Sequence, residues 1–81
     1  MFGFKKDAVI VFSKNFCGQC RMVKNFLNKH EIDFTEINVD EDGNGKYIDE
    51  LKDEGIRQLP ATLINGKIIL GFAPNLLEKE I

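Results

Sequence analysis

The sequence predicts an α/β fold in the order β-α-β-α-β-β-α, with a four-stranded mixed sheet flanked by three helices. The run "AVIVF" (residues 8–12) is continuous and rich in β-branched residues, which is typical of a central strand covered on both faces. A helical pattern then begins beside Cys17 and leads to a second strand, and such a crossover makes the first two strands parallel. Asn65-Gly66, between "ATLI" and "KIIL", predicts an antiparallel hairpin, because both central residues of a type I′ turn need a positive φ.

The first half of the chain supplies two strands and one helix. The first strand is residues 8–12. The first helix is predicted from apolar residues at steps of three and four: Cys20, Val23, Phe26 and Leu27. "DFTEINV" (33–39) has the length and the β-branched content of a strand. The aromatic side chains that we expect in the core are Phe12, Phe26, Phe34 and Tyr47.

The second half supplies two helices and the hairpin. After the turn cluster "DEDGNG" (40–45), Tyr47, Ile48 and Leu51 form one apolar stripe that predicts a short helix ending at Gly55. The hairpin strands are residues 61–64 and 67–70. The third helix is predicted to start at Pro74 and to turn one apolar face to the core, made of Leu76, Leu77 and Ile81.

Length and composition indicate one small domain, residues 1–81. With 43% hydrophobic and 30% charged residues, and with no repeat or linker, the chain has an ordinary globular composition. Its net charge is −2 and its basic residues are scattered, which argues against a nucleic-acid partner. The longest strongly apolar run, residues 8–12, is too short for a membrane span or a signal-peptide core. We expect a cytoplasmic monomer with no membrane association.

Cys17 and Cys20 are the two cysteines of the chain, and their spacing suits three uses: a metal site, a structural disulfide, or exchange of electrons with another disulfide. A permanent structural disulfide is rare in cytosolic proteins. A zinc site needs further ligands, and His30 lies about 15 Å along the same helix, so zinc would require a second chain. Redox chemistry is favoured, and the other two uses stay open.

The two cysteines are expected to differ. Cys17 lies at the strand-to-helix junction, where free backbone N–H groups and the helix dipole stabilise a thiolate and lower its pKa. Lys14 and Arg21 add positive charge that acts in the same direction. Cys17 is therefore predicted to be the nucleophile. Cys20 lies one turn later on the apolar face, so we expect it to be less exposed and to resolve the intermediate.

The turn cluster also resembles a calcium-binding loop. Asp40, Asp42, Asn44 and Gly45 match its first, third, fifth and sixth positions, but Leu51 stands at the twelfth, where a bidentate Glu is required. We therefore interpret this segment as a polar turn that caps the second helix.

The segment "SKNFCGQC", followed later by "GIRQLPATLINGKIILGF", resembles the thioredoxin superfamily. It is most similar to the NrdH redoxins, which are glutaredoxin-like electron donors. That family combines a Cys-x-x-Cys whose third residue is Gln with an Arg-Gln-x-Pro and a Gly-Phe-x-Pro. These motifs stand here at Cys17–Cys20, Arg57–Pro60 and Gly71–Pro74.

The resemblance implies a thioredoxin-like, glutaredoxin-type fold and a dithiol-disulfide oxidoreductase whose Cys17 and Cys20 form a reversible disulfide. Cys17 would attack a protein disulfide and Cys20 would release the product. The implied target is the large subunit of a class Ib ribonucleotide reductase, with thioredoxin reductase as the reductant. NADPH would act only through that reductase, and no metal or bound cofactor is implied.

The implied contact residues surround the cysteines. The residues assigned to partner or substrate contact are Phe16, Gly18, Gln19, Arg57, Gln58, Leu59, Pro60, Gly71 and Phe72. Leu59-Pro60 would be a cis peptide bond opposite the cysteines, against the alternative of an ordinary proline at the start of a strand. Phe16, Leu59 and Phe72 would form an apolar rim around Cys17, unless Phe72 belongs to the core.

The segment "GFAPN" (71–75) bears on the reductant. Glutathione-dependent glutaredoxins usually have Gly-Gly-x-Asp-Asp there, with backbone N–H groups that hold a carboxylate. Pro74 has no N–H and Phe72 fills a position that is usually glycine, so glutathione binding is expected to be weak or absent. Lys14 and Arg57 would still suit a carboxylate, which keeps a glutathione-dependent glutaredoxin as the alternative.

The chain also departs from the NrdH pattern. The segment "ILGFAPN" lacks the Trp, Arg and Asp that many NrdH redoxins carry there, so contacts made by those residues are not carried over. Gly18 stands where a bulkier residue is common, which leaves the redox potential free to move in either direction.

Overall fold

The computed structural model describes residues 8–81; the first seven residues of the predicted domain lie outside the described residues. The strands are β1 (Ile10–Ser13), β2 (Thr35–Asn38), β3 (Ala61–Ile64) and β4 (Lys67–Leu70), and the helices are α1 (Gly18–Lys29), α2 (Gly45–Asp53) and α3 (Pro74–Glu78). The predicted order is confirmed.

The sheet is mixed, with strand order β2-β1-β3-β4. β1 pairs with β2 in parallel and with β3 antiparallel, and β3 and β4 form a hairpin. Asn65 and Gly66 connect the hairpin strands with φ of 52° and 76°, as a type I′ turn requires. All four residues of β1 are buried, which agrees with the central strand predicted from its continuous apolar run.

Alternate residues of β1 supply two separate layers of core. Ile10 and Phe12 pack with Leu51 of α2 on one face of the sheet. Val11 packs with Val23 and Leu27 of α1, which therefore covers the opposite face. A third cluster, formed by Ile64, Ile69 and Leu77, joins α3 to the hairpin, and Phe26 and Phe72 pack against both this cluster and that of Val11. Two-sided cover allows so short a chain to bury a core.

Element boundaries differ from the predictions by a few residues. β1 begins two residues late and ends at Ser13, because Ser13 is paired with Asn38 of β2 and is buried. β2 is four residues long, shorter than the predicted 33–39, and α2 begins two residues before Tyr47. No helix between residues 8 and 81 is long and apolar enough to span a bilayer.

Some predicted core positions are wrong. In α3 only Leu77 is buried, whereas Leu76 and Ile81 are both 49% exposed. Ile48 of the predicted α2 stripe is also exposed, leaving Leu51 as the buried residue of that helix. Phe12 is fully buried as expected. The other three predicted core aromatics are half-buried and pack against the core clusters: Phe26, Phe34 and Tyr47.

Candidate active site

Cys17 lies at the N-terminus of α1, where β1 has ended and a short loop turns the chain. It is the N-cap residue, with an extended backbone (φ −118°, ψ 102°). Its Sγ accepts a hydrogen bond of 3.1 Å from the Cys20 N–H, a group that a helix would otherwise leave unsatisfied at its first turn. Cys17 and Cys20 form a disulfide, with their Cα atoms 5.3 Å apart.

The two sulfur-bearing residues differ in exposure in the predicted direction. Cys17 is half-buried, whereas Cys20 is only 2% exposed and contributes to the buried face of α1. A thiolate approaching from solvent therefore has better access to Cys17. Neither cysteine titrates in the disulfide, so the acidity of the Cys17 thiol stays a prediction.

Three basic side chains are exposed in the predicted motifs: Lys14, Arg21 and Arg57. The ion pairs found within residues 8–81 are Lys24–Glu36 and Lys67–Glu80, so these three cations have no carboxylate partner in that range. Their charges are available to a thiolate or to a carboxylate of a substrate.

The Leu59–Pro60 peptide bond is cis, and Pro60 is fully buried immediately before β3. Its carbonyl accepts a hydrogen bond of 2.8 Å from the Gly71 N–H. The Arg57–Pro60 and Gly71–Pro74 motifs, which are separate in sequence, are thus joined in the structure.

Gly71 also lies next to the cysteine motif. Its φ is +68°, and a Cβ added to it would lie 3.3 Å from Gln19 Oε1 and 3.5 Å from Gln58 Nε2. Gln19 lies between the two cysteines and Gln58 directly precedes Leu59. All three predicted motifs therefore meet at one site. Gly18, in contrast, is exposed, and a Cβ there would meet nothing within 4 Å.

The predicted apolar rim is only partly present. Phe16 is fully exposed. Leu59 is half-buried against the Phe12 cluster, whereas Phe72 packs on the opposite face with its ring edge toward Phe26, at a centroid distance of 6.2 Å. Leu59 and Phe72 therefore pack partly against the core, and Phe16 is the most exposed of the three.

A small apolar groove adjoins the cis-proline segment. Its lining includes Ile48 of α2, Ile56 and the run 57–59, and its volume is about 110 Å³. The exposure of Ile48, which is unexpected for a core residue, is explained by its position on this groove.

Sequence reasoning missed the residues that hold the loop before Cys17. The Asp40 carboxylate accepts the Asn15 backbone N–H at 2.9 Å, and the Asn38 side-chain amide donates to Asn15 Oδ1 at 3.0 Å. The signal was present in the sequence, because parallel β1 and β2 end side by side, and Asn15 and Asp40 each stand two residues after a strand end. Asp40 therefore holds the loop before Cys17. Within residues 8–81 there is no group of three or more His, Cys, Asp or Glu side chains that could hold a metal ion.

A second polar cluster, also missed, links β1, β2 and α1. Glu36 Oε2 accepts hydrogen bonds from the Ser13 hydroxyl at 2.6 Å and from Lys24 Nζ at 2.8 Å. The bond from Lys24, followed by that from Ser13, lowers the pKa of the Glu36 carboxyl below its usual value of 4.5. This cluster secures α1 to the parallel strands beneath it.

A protein-family model and a curated relative both match most of this chain. The Glutaredoxin family model matches residues 9–69. The glutaredoxin-like protein NrdH of Lactococcus lactis subsp. cremoris is 41% identical over 71 residues, which are 88% of this chain and 96% of that protein.

Two solved structures have the same fold as this chain. The glutaredoxin-like protein NrdH-redoxin of Escherichia coli, described for its thioredoxin-like activity profile, aligns with a TM-score of 0.82 at 28% identity, over 89% of this chain and 92% of that one. A buckwheat glutaredoxin in complex with glutathione aligns with a TM-score of 0.72 at 29% identity, over 90% of this chain and 68% of that one.

Proposed function

This chain belongs to the glutaredoxin family as a thiol-disulfide oxidoreductase of the NrdH type, and we propose that it donates electrons to a disulfide of a class Ib ribonucleotide reductase large subunit. The target follows from the resemblance to NrdH redoxins. We further propose that thioredoxin reductase restores the dithiol with electrons from NADPH, that the reaction takes place in the cytoplasm, and that the chain itself binds no metal or cofactor.

The observation that carries the proposal is the difference between the two cysteines of one disulfide. In the reduced protein the Cys17 thiolate attacks one sulfur of the target, so a mixed disulfide forms as the target's S–S bond breaks and the leaving thiolate takes a proton from water. Cys20, after losing its proton, attacks Cys17 Sγ and releases the second target thiolate. Two electrons pass to the target, and Cys17–Cys20 becomes oxidised.

The proposed roles of the surrounding residues rest on the resemblance to NrdH redoxins and on the places of these residues in the motifs. Lys14 and Arg21 stabilise the Cys17 thiolate together with the N-terminus of α1. The Leu59 backbone, ahead of the cis bond, pairs with the target peptide around its disulfide, and Phe16 supplies an exposed apolar contact. Gln19, Gln58 and Gly71 shape the surface between these parts.

Thioredoxin reductase is favoured as the reductant by the segment after β4. Pro74 is the first residue of α3 and has no N–H to offer a glutathione carboxylate. Phe72 occupies the adjacent space and is fixed by its packing against Phe26. The thioredoxin-like activity profile described for the E. coli relative supports the same choice.

A glutathione-dependent glutaredoxin is the second candidate. Lys14 and Arg57 are exposed cations without a carboxylate partner in the described part of the chain, and they would suit glutathione. The likeness to a glutaredoxin solved with glutathione keeps this candidate in view.

One experiment separates the two. The oxidised protein is mixed either with NADPH and thioredoxin reductase or with glutathione, NADPH and glutathione reductase, and the consumption of NADPH is followed by absorbance. We expect rapid consumption with thioredoxin reductase and a far slower reaction with glutathione. Activity with glutathione alone would overturn the NrdH-type assignment of the reductant.

The cysteine roles are tested by alkylation of the reduced protein as a function of pH. In Cys20→Ser the remaining Cys17 should react quickly at neutral pH and titrate below a free cysteine, because a helix N-terminus favours the thiolate. In Cys17→Ser the buried Cys20 should react slowly and titrate above it. Faster labelling of Cys20 at neutral pH would reverse the assignment.

A further inference from the structure

We propose that Asp40 and Asn38 are positioning residues for Cys17: through Asn15, they hold the loop of residues 14–16 in the conformation that presents the cysteine at the N-terminus of α1. This inference rests on the proposed role of Cys17 as the nucleophile. Neither residue belongs to the cysteine, cis-proline or Gly71 motifs.

Asn15, Asn38 and Asp40 form a closed ring of hydrogen bonds through side chains and backbone N–H groups. The Asp40 carboxylate accepts the Asn15 backbone N–H at 2.9 Å, and the Asp40 N–H donates to Asn38 Oδ1, also at 2.9 Å. The Asn38 side-chain amide closes the ring by donating to Asn15 Oδ1 at 3.0 Å. Asn15 is thus held through both its backbone and its side chain, two residues before Cys17.

The ring is attached to rigid parts of the fold. Ser13 and Asn38 are register partners at the ends of parallel β1 and β2, and the Ser13 carbonyl accepts the Val39 N–H at 2.9 Å. The Asn38 carbonyl in turn accepts the side-chain amide of Asn44, the N-cap residue of α2, at 2.9 Å. The loop is therefore anchored to the carboxyl ends of β1 and β2 and to the start of α2.

Phe16 shows why the loop needs such an anchor. Its φ is +55°, a left-handed conformation that is unfavourable for an aromatic L-residue and persists only where the surroundings impose it. Its side chain is fully exposed, so core packing does not impose it. Phe16 is instead held from both sides: the hydrogen bonds on Asn15 fix the preceding residue, and the N-cap bond fixes Cys17, which follows.

Removing the anchor should therefore slow attack by Cys17. The test measures single-turnover reduction of a small aromatic disulfide by the fully reduced protein, which reports on Cys17 without partner docking. We expect Asp40→Ala to be slower on the order of fivefold to tenfold, because a loosened nucleophile spends less time correctly oriented. Asn38→Ala should be slowed by a similar factor, because it removes the side chain that bonds both Asn15 and Asp40.

Two further variants define the mechanism. Asp40→Asn retains an oxygen that can accept the Asn15 N–H and should restore most of the rate. Asp42→Ala removes the same charge from the same turn, and Asp42 makes no side-chain hydrogen bond within residues 8–81, so its rate should match the wild type. Among Asp40→Ala, Asp40→Asn and Asp42→Ala, only Asp40→Ala should show faster hydrogen exchange at the Asn15 amide.

The outcomes separate this inference from the proposed function. Equal rates and equal Asn15 exchange in Asp40→Ala and Asp42→Ala would overturn the positioning role and leave the function of Cys17 intact. A loss that Asp40→Asn does not restore would also overturn it, because charge and not the hydrogen bond would then be responsible. Full activity in Cys17→Ser would instead overturn the proposed function.

Discussion

At Gly71 the backbone conformation is directly coupled to the candidate site. Its φ of +68° is unfavourable for any residue with a Cβ, and that Cβ would lie 3.3 Å from Gln19 Oε1. We expect Gly71→Ala to lower the free energy of unfolding by about 1–2 kcal/mol. Disulfide reduction should also slow, since the Gln19 side chain, between the two cysteines, must shift to make room. Urea unfolding and an insulin-reduction assay measure the two effects.

Gly18 provides the matched control for this glycine. A Cβ at Gly18 meets nothing within 4 Å, and the residue begins α1 without a positive φ. Gly18→Ala should therefore leave stability unchanged or raise it by up to about 0.5 kcal/mol, because alanine loses less backbone entropy in a helix. Equal destabilisation by the two substitutions would contradict the special role of Gly71.

Residues differ in how far the sequence alone predicts them. Cys17 and Cys20 are readable from spacing, because two residues three apart on a helix share a face. The meeting of Gln19 with Gly71 is not readable, since it depends on the cis bond and on where β4 ends. Asp40 is predicted only in part: its calcium-loop spacing is ruled out by Leu51 in the sequence, but its partner, the Asn15 N–H after the adjoining strand, was not predicted.

Helix α3 has one buried residue, Leu77. Leu77 is fully buried with Ile64 and Ile69, whereas the neighbouring Leu76 is half exposed. We expect Leu77→Ala to cost about 2–5 kcal/mol of unfolding free energy. Leu76→Ala, the same change one position earlier, should cost less than about 0.5 kcal/mol. Thermal unfolding of both variants provides the measurement.

The shortness of α3 also explains why its buried face was wrongly predicted from sequence. Adjacent residues of a helix point about 100° apart, so α3 can bury Leu77 and leave Leu76 toward solvent. Ile81 lies beyond the last residue of α3 and is not constrained by helical periodicity. Five residues are too few for an apolar pattern to show which leucine faces the sheet. Comparable losses at Leu76 and Leu77 would contradict the observed packing.

The Glu36 cluster should make the attachment of α1 depend on pH. Hydrogen bonds from Lys24 and Ser13 lower the pKa of Glu36 from its usual 4.5 in the folded protein. A carboxyl with a depressed pKa stabilises the fold above its unfolded-state pKa, and this contribution is lost as the pH falls through the folded value. Stability should therefore decline below about pH 4.5, in part through this group.

Glu36→Gln tests the assignment. At neutral pH the wild type should have the higher thermal midpoint, and the difference should shrink as the pH falls below 4.5 and Glu36 becomes protonated. Lys24→Gln should reduce the same pH dependence by removing the largest cause of the shift. A difference between wild type and Glu36→Gln that stays constant with pH would contradict the role of this carboxyl.

At the scale of the whole molecule, the topology was predictable because each step rests on a local rule. A continuous apolar run marked the central strand, the crossover required β1 and β2 to be parallel, and Asn65-Gly66 required a hairpin. The bounds of β1 and β2 were less predictable, because pairing with a neighbour decides where a strand ends. The division of the core between two sheet faces follows from the pleat of β1.

The whole molecule also permits a test of whether the disulfide is needed for folding. The core clusters on both sides of the sheet are built from side chains other than Cys17 and Cys20. The bond closes a loop between residues only three apart, so it restricts the unfolded chain little. In the loop-entropy account, closing so short a loop contributes about 2 kcal/mol. The reduced protein should therefore fold.

Urea unfolding of the oxidised and the dithiothreitol-reduced protein measures this directly. We expect two cooperative transitions whose free energies differ by no more than about 2 kcal/mol, with similar m-values, because both forms bury the same core. The double variant Cys17→Ser with Cys20→Ser should resemble the reduced protein. An unfolded reduced form would instead identify the disulfide as a structural staple, whereas a stable one permits the cysteine pair to cycle between its two redox states without loss of the fold.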